Sequence, residues 1–189
     1  MFKRIAFAFL FSAALAQNAM AAGDGAYIGG GLGIGIAVLK NTSTGVTSTY
    51  TSSASRFLGG YQFNKNFALE AEVFDLGKFS DSSRDVKGNG YGVAGVGILP
   101  LGSGTFSLYW KVGLSSVTAN STIKPGSGVV LQGPASQTKS GVALGFGMNY
   151  DFTPKATLRV SLDAYPFGVE GDYISGMLPV WGVSGIFHF

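Results

Sequence analysis

Five charged side chains stand inside stretches that otherwise alternate apolar with small residues: Glu70 and Glu72 in FALEAEVF, Lys111 in LYWKVG, and Arg159 and Asp163 in TLRVSLDAY. Acids so placed could serve a hydrolase beside a histidine or an activated hydroxyl, or a metal if enough ligands clustered. The chain supplies neither setting. Its one histidine, His188, is the penultimate residue, and its serines concentrate in segments that read as loops with no histidine to activate them. Cysteine is absent, no His/Cys/carboxylate cluster forms, and Asp81 and Asp85 read as a solvated charge run. The reading therefore expects no cofactor, no metal and no catalytic residue. What remains for the five charges is pairing with one another.

Their positions depend on strands. From Ser55 to Gly77 the chain alternates twice around Asn64-Lys65-Asn66. Phe57, Gly59, Tyr61 and Phe63 oppose Arg56, Leu58, Gly60 and Gln62, and Phe67, Leu69, Ala71 and Val73 oppose Ala68, Glu70, Glu72 and Phe74. Period-two alternation around a polar turn predicts a β-hairpin that separates an apolar environment from a polar one. A basic residue on a lipid face near the bilayer midplane costs about 2–4 kcal/mol, and acids somewhat less. If the apolar face meets lipid, Glu70, Glu72, Lys111, Arg159 and Asp163 must point inward. A soluble barrel with its apolar face inside is the rival, but its surface would be mostly glycine, alanine and serine.

Composition favours the membrane reading: 46% of residues are hydrophobic, 30 are glycine and only 12% are charged. Residues 1–21 have Lys3 and Arg4, an apolar run too short to span a membrane, and Ala19-Met20-Ala21, which together predict a cleavable signal peptide. Residues 22–189 would then form one barrel domain. The net charge of +3 includes two leader residues, Lys3 and Arg4, and argues for no nucleic-acid partner. From Ala26 to Leu39 glycine recurs at every second position, which fits a crowded lumen rather than a phosphate-binding GxGxxG loop.

Further strands read from about Asn89 to Pro100, from Phe106, from Gly141 to Phe152, from Ala156 and at the C-terminus. Four polar stretches, Lys40–Ala54, Gly77–Gly88, Val117–Thr138 and Pro166–Gly176, read as loops. They interleave with tight turns at Asn64–Asn66, Leu101–Gly104 and Thr153–Lys155. Asn41-Thr42-Ser43 and Asn120-Ser121-Thr122 read as ordinary loop chemistry. Eight strands with alternating long and short connections predict an all-β, antiparallel up-and-down transmembrane barrel with both termini periplasmic. Closure of the first strand on the last leaves no unpaired edge in lipid.

The glycine-tyrosine hairpin at Ser55–Gly77, PLGSGTFSLYWKVG at Pro100–Gly113 and FTPKATLRVSLDAY at Phe152–Tyr165 together resemble the transmembrane domain of the outer-membrane protein A family. The resemblance implies charged pairs across the lumen and contact with outer-membrane lipids and lipopolysaccharide. It also implies that Phe187 and Phe189 belong to a C-terminal signal read by the outer-membrane assembly machinery, with Gly185 one place from that signal's usual glycine. Val96 falls where another basic lumen residue would stand. The domain that anchors longer relatives to the cell wall is not expected here.

Glu70 and Arg159 are each the fourth residue of a rising strand, and those strands face each other across a barrel of eight, so the two should meet. The function that follows is a structural barrel with a surface-interaction, adhesin-like role, its loops the expected place for a host or cell-surface ligand. A small porin-like channel is the alternative, and a lipid A-modifying enzyme is the weaker third reading.

Overall fold

The computed structural model describes residues 25–40, 47–80, 84–102, 105–124, 136–169 and 174–189, which form eight β-strands. They are β1 Gly25–Lys40, β2 Thr47–Asn64, β3 Phe67–Ser80, β4 Arg84–Leu101, β5 Phe106–Ile123, β6 Ser136–Thr153, β7 Ala156–Val169 and β8 Ile174–His188. Each pairs antiparallel with its neighbours in sequence, and β1 pairs with β8, closing a barrel. The ladder between β1 and β8 runs from Tyr27↔His188 to Gly35↔Val180. Residues 1–24, including the expected leader, lie outside the described residues, as do Asn41–Ser43 and Asp81.

Alternation sets the two faces as the hairpin predicts. Along β5, Phe106, Leu108, Trp110, Val112 and Leu114 are exposed outward while Ser107, Tyr109, Lys111 and Ser115 are buried inside. That nine-residue apolar run matches the roughly 9–11 residues a tilted strand needs to cross a bilayer. At one end the connections are tight. Asn64 Oδ1 accepts the backbone N–H groups of Asn66 and Phe67 at 2.9 and 3.0 Å, closing the turn between β2 and β3. Thr153 Oγ1 accepts from the Lys155 N–H at the corresponding turn between β6 and β7.

At the other end the strands run well beyond the polar boundaries that the sequence suggests. Thr47–Ala54, most of Gly77–Gly88, Val117–Ile123 and Pro166–Val169 are strand rather than loop, and β4 begins at Arg84 rather than near Asn89. Asn120-Ser121-Thr122 therefore lies in β5, not in a loop. Polarity inverts in these extensions. Ser116, Thr118 and Asn120 turn outward while Val117 and Ala119 are buried inside, and β2 and β4 repeat the pattern with Ala54 and Val86 inside. A strand that has left the lipid for water places its polar side chains outside. Its sequence then looks like a Ser/Thr-rich loop.

The lumen is consequently layered and not polar throughout. Toward the tight turns Tyr27, Leu58, Ala68, Val96, Tyr109 and Ile186 cluster, and toward the opposite end Phe74, Leu76, Phe79, Tyr165, Phe167 and Leu178 lead a larger apolar cluster. Val96, where the family resemblance would place a basic residue, packs in the first of these. The charges lie between the two.

Candidate functional site

The middle layer is assembled by four strands. Arg56 comes from β2, Glu70 and Glu72 from β3, Lys111 from β5, and Arg159 and Asp163 from β7. All six are inward-facing, and the five besides Arg56 are at most 7% exposed. Arg159 Nη1 donates to Glu70 Oε2 at 2.7 Å across the barrel, and its Nε donates to Asn149 Oδ1 at 3.0 Å. Lys111 Nζ lies 2.8 Å from Glu72 Oε2, 3.0 Å from Asp163 Oδ1 and 3.9 Å from Glu70 Oε1. The structure thus brings Glu70, Glu72, Lys111, Arg159 and Asp163 into one connected network.

Arg56 completes it. Its Nη1 donates to Asp163 Oδ2 at 2.5 Å, Nη2 to Ser161 Oγ at 2.8 Å and Nε to Ser184 Oγ at 2.9 Å. Sequence alternation puts Arg56 on the polar face but leaves it out of the expected set. The missing signal was charge balance, because the five expected residues hold three acids and only two bases. With Arg56 the layer has three cations and three carboxylates, the condition under which ions tolerate burial. Tyr27 Oη adds a hydrogen bond to Glu70 Oε2 at 3.2 Å. The Arg159 guanidinium also sits 4.3 Å from the centroid of the Tyr109 ring, within cation–π range.

Small residues on the facing walls make room. A Cβ at Gly145 would lie 2.8 Å from Lys111 Cε and would also collide with Asp163 Oδ1, so only glycine leaves the layer intact there. Below the charges a cavity of about 420 Å³ opens toward the tight turns, lined in part by Gln62, Lys65, Asn149, Arg159 and His188.

His188 has partners that the sequence did not reveal: its ring lies 5.4 Å from that of Tyr27, tilted by 38°, and its Nε2 lies 3.3 Å from Thr157 Oγ1. That hydroxyl donates to Asp151 Oδ1 and not to the imidazole, so the pair lacks the hydroxyl-to-base hydrogen bond that activates a nucleophile. Among the described residues no group of three or more His, Cys, Asp or Glu side chains could hold a metal. Asp85, read from sequence as a loop acid, is in β4 and pairs with Lys78 at 3.2 Å and Lys124 at 3.4 Å. At the chain's end Phe187 and Phe189 point outward, their rings 5.6 Å apart and edge to face, and the Phe189 N–H donates to Ala26 O.

A family model described as the outer membrane protein beta-barrel domain matches residues 7–178, most of the chain. The chain belongs to this family. No curated protein matches it significantly in sequence. Among solved structures the barrel is similar to Neisserial surface protein A, at 17% identity and TM-score 0.60 over 87% of this chain and 97% of that one. It is also similar to OprG from Pseudomonas aeruginosa, at 13% identity and TM-score 0.57 over 88% and 97%, respectively. A third likeness is Ail of Yersinia pestis in complex with the heparin analogue sucrose octasulfate, at 14% identity and TM-score 0.53 over 87% and 99%. At these identities the likeness is one of fold. Membership places this barrel in the outer membrane. The turns that join β2 to β3, β4 to β5 and β6 to β7 and the paired ends of β1 and β8 are then periplasmic, and the opposite end faces the cell exterior.

Proposed function

We propose that this protein is a structural outer-membrane barrel whose extended outer rim serves surface interaction, and that it is neither an enzyme nor an open pore. The observation that carries the reading is the charge-balanced layer of Arg56, Glu70, Glu72, Lys111, Arg159 and Asp163, interlocked across the lumen and capped by buried aromatic side chains. An eight-stranded barrel is only wide enough for side chains to fill, so such a layer leaves no water path. The rim is built for contact, since strands β2 to β6 project polar faces past the apolar belt. Ail, similar in fold, is known bound to a polysulfated sugar, which supports the same kind of role for this rim.

The cavity beneath Arg159 favours a second reading, a small channel whose upper part opens on a stimulus. Planar-bilayer recording separates the two. The proposed barrel is silent at steady voltage, whereas reproducible unitary steps from the unmodified protein would establish the channel.

A further inference from the structure

The cavity of about 420 Å³ on the periplasmic side of the charge layer is roofed from three adjacent strands. Ser107 of β5, Asn149 of β6 and Arg159 of β7 are neighbours in register, and none is more than 5% exposed. Arg159 Nε donates to Asn149 Oδ1 at 3.0 Å, which fixes the orientation of that amide, and Asn149 Nδ2 donates to Ser107 Oγ at 3.2 Å. The side-chain oxygens of the roof thus already accept, but its donors are not used up. Arg159 spends Nη1 on Glu70, while its Nη2 has no hydrogen-bond partner among the described residues, and the Ser107 hydroxyl proton has none either. The charged lining consists of Arg159, Lys65 and Asp151, with His188 beside them. Asp151 stands one register pair nearer the periplasm than Arg159, and its Oδ1 already accepts from Thr157. Ile98 and Pro100 of β4 and Ile186 of β8 flank the roof with apolar surface.

We propose that this cavity is a periplasmic binding site for a small organic carboxylate with a short apolar tail. A group that only accepts hydrogen bonds matches a roof with unspent donors, and an anion matches a lining in which Arg159 and Lys65 face the single carboxylate of Asp151. The ligand's oxygens take the Arg159 Nη2 and Ser107 hydroxyl protons, in charge-assisted bonds that gain strength away from bulk water. Its tail lies against Ile98, Pro100 and Ile186. Lys65, exposed at the turn between β2 and β3, adds an attraction at the mouth that salt screens. The volume lies within the roughly 300–1,000 Å³ of pockets that hold small molecules. The site is at the opposite end of the barrel from the rim, so it adds a periplasmic ligand to the surface role without depending on it.

Solution NMR of the folded protein in lipid nanodiscs tests it, with butyrate, its neutral isostere butanamide and inorganic phosphate as probes. Butyrate should shift the backbone amide signals of Ser107 and Asn149 saturably, at one site, with an affinity at least about tenfold above that of butanamide. Ser107→Ala removes one of the two anchoring donors and should weaken butyrate binding about tenfold, whereas Lys87→Gln at the outer rim should leave it unchanged. The absence of saturable shifts at the roof, or equal affinity for butanamide, overturns the anion site. Phosphate bound as tightly as butyrate overturns the carboxylate assignment, and unchanged affinity in Ser107→Ala overturns the roof as the anchor. Should that variant fail to fold, the three probes on the unmodified protein decide alone. None of these outcomes depends on what the rim contacts or on whether the lumen conducts, so failure here is distinguishable from failure of the closed-barrel reading.

Discussion

Each charge in the barrel's middle layer is held by a partner on another strand, so the cost of changing one residue is set by what it leaves behind. Removing one member of a buried pair costs about 3–5 kcal/mol because the other stays desolvated and unpaired. Glu70→Gln and Arg159→Met should each lower the urea midpoint of the barrel in lipid, and the double change should recover much of the loss. Additive losses would show that the 2.7 Å contact is incidental. Arg56→Met should also lower the midpoint, since it leaves Asp163 with Lys111 as its one cation and takes the donor from two buried hydroxyls. Gly145→Val tests the space and not the charge. Its side chain would enter the volume held by Lys111 and Asp163, and the destabilisation should reach at least the roughly 1–3 kcal/mol of an overpacked core. At this scale the sequence was legible where a charge interrupted an apolar alternation, as at Lys111. It was less legible at Arg56, whose neighbours Leu58 and Gly60 on the same face gave no sign of a polar lumen.

Among the elements, the ladders end where a local feature stops them. The β2–β3 ladder ends at Ser55↔Asp75, beside a bulge where Gly77 adopts a φ of +74° and its N–H donates to Asp75 Oδ1 at 2.6 Å. This shift turns Phe79 into the lumen, out of phase with Leu76. The β1–β8 ladder ends at Val180, next to Pro179, and the β6–β7 ladder at Ala164, two residues before Pro166. Proline has no N–H to offer a ladder. Gly77→Ala should cost roughly 1–3 kcal/mol, because its Cβ would meet the Ser53 carbonyl oxygen in a backbone conformation that L residues rarely adopt. An unchanged unfolding midpoint would mean the bulge relaxes freely. Strand count, order and tight turns could be read from the sequence because alternation beside lipid is strict. The outer strand ends could not, because once the solvent changes from lipid to water the outward residues become Ser, Thr, Asn and Lys, the composition of a loop. At the opposite end, deletion of Phe189 should impair assembly more than His188→Ala, with the heat-modifiable fraction as the measure. Phe189 closes the seam through Ala26 and belongs to the proposed assembly signal, while His188 makes only rim contacts.

Over the whole molecule, the environment outside the wall dictates what lies within it, and the result on the closed-barrel reading is two seals in series. Where the wall meets lipid, the lumen can be ionic because the apolar residues are committed outward. Where the wall meets water, the apolar residues turn in and pack Phe74 against Tyr165 at 4.1 Å and Phe79 against Phe167 at 5.9 Å. Conductance should therefore require both layers to be opened. Glu70→Gln with Arg159→Met, which thins the ionic layer without leaving a charge unpaired, should stay silent in a planar bilayer, and so should Phe74→Ala with Phe167→Ala. The four changes together should give unitary steps, provided heat-modifiable migration shows the barrel still closed. If the ionic pair of changes alone conducts, the aromatic layer is no seal and the charges by themselves close the lumen. If the aromatic pair alone conducts, ions and water already pass the charged layer, and the channel reading would replace the structural one.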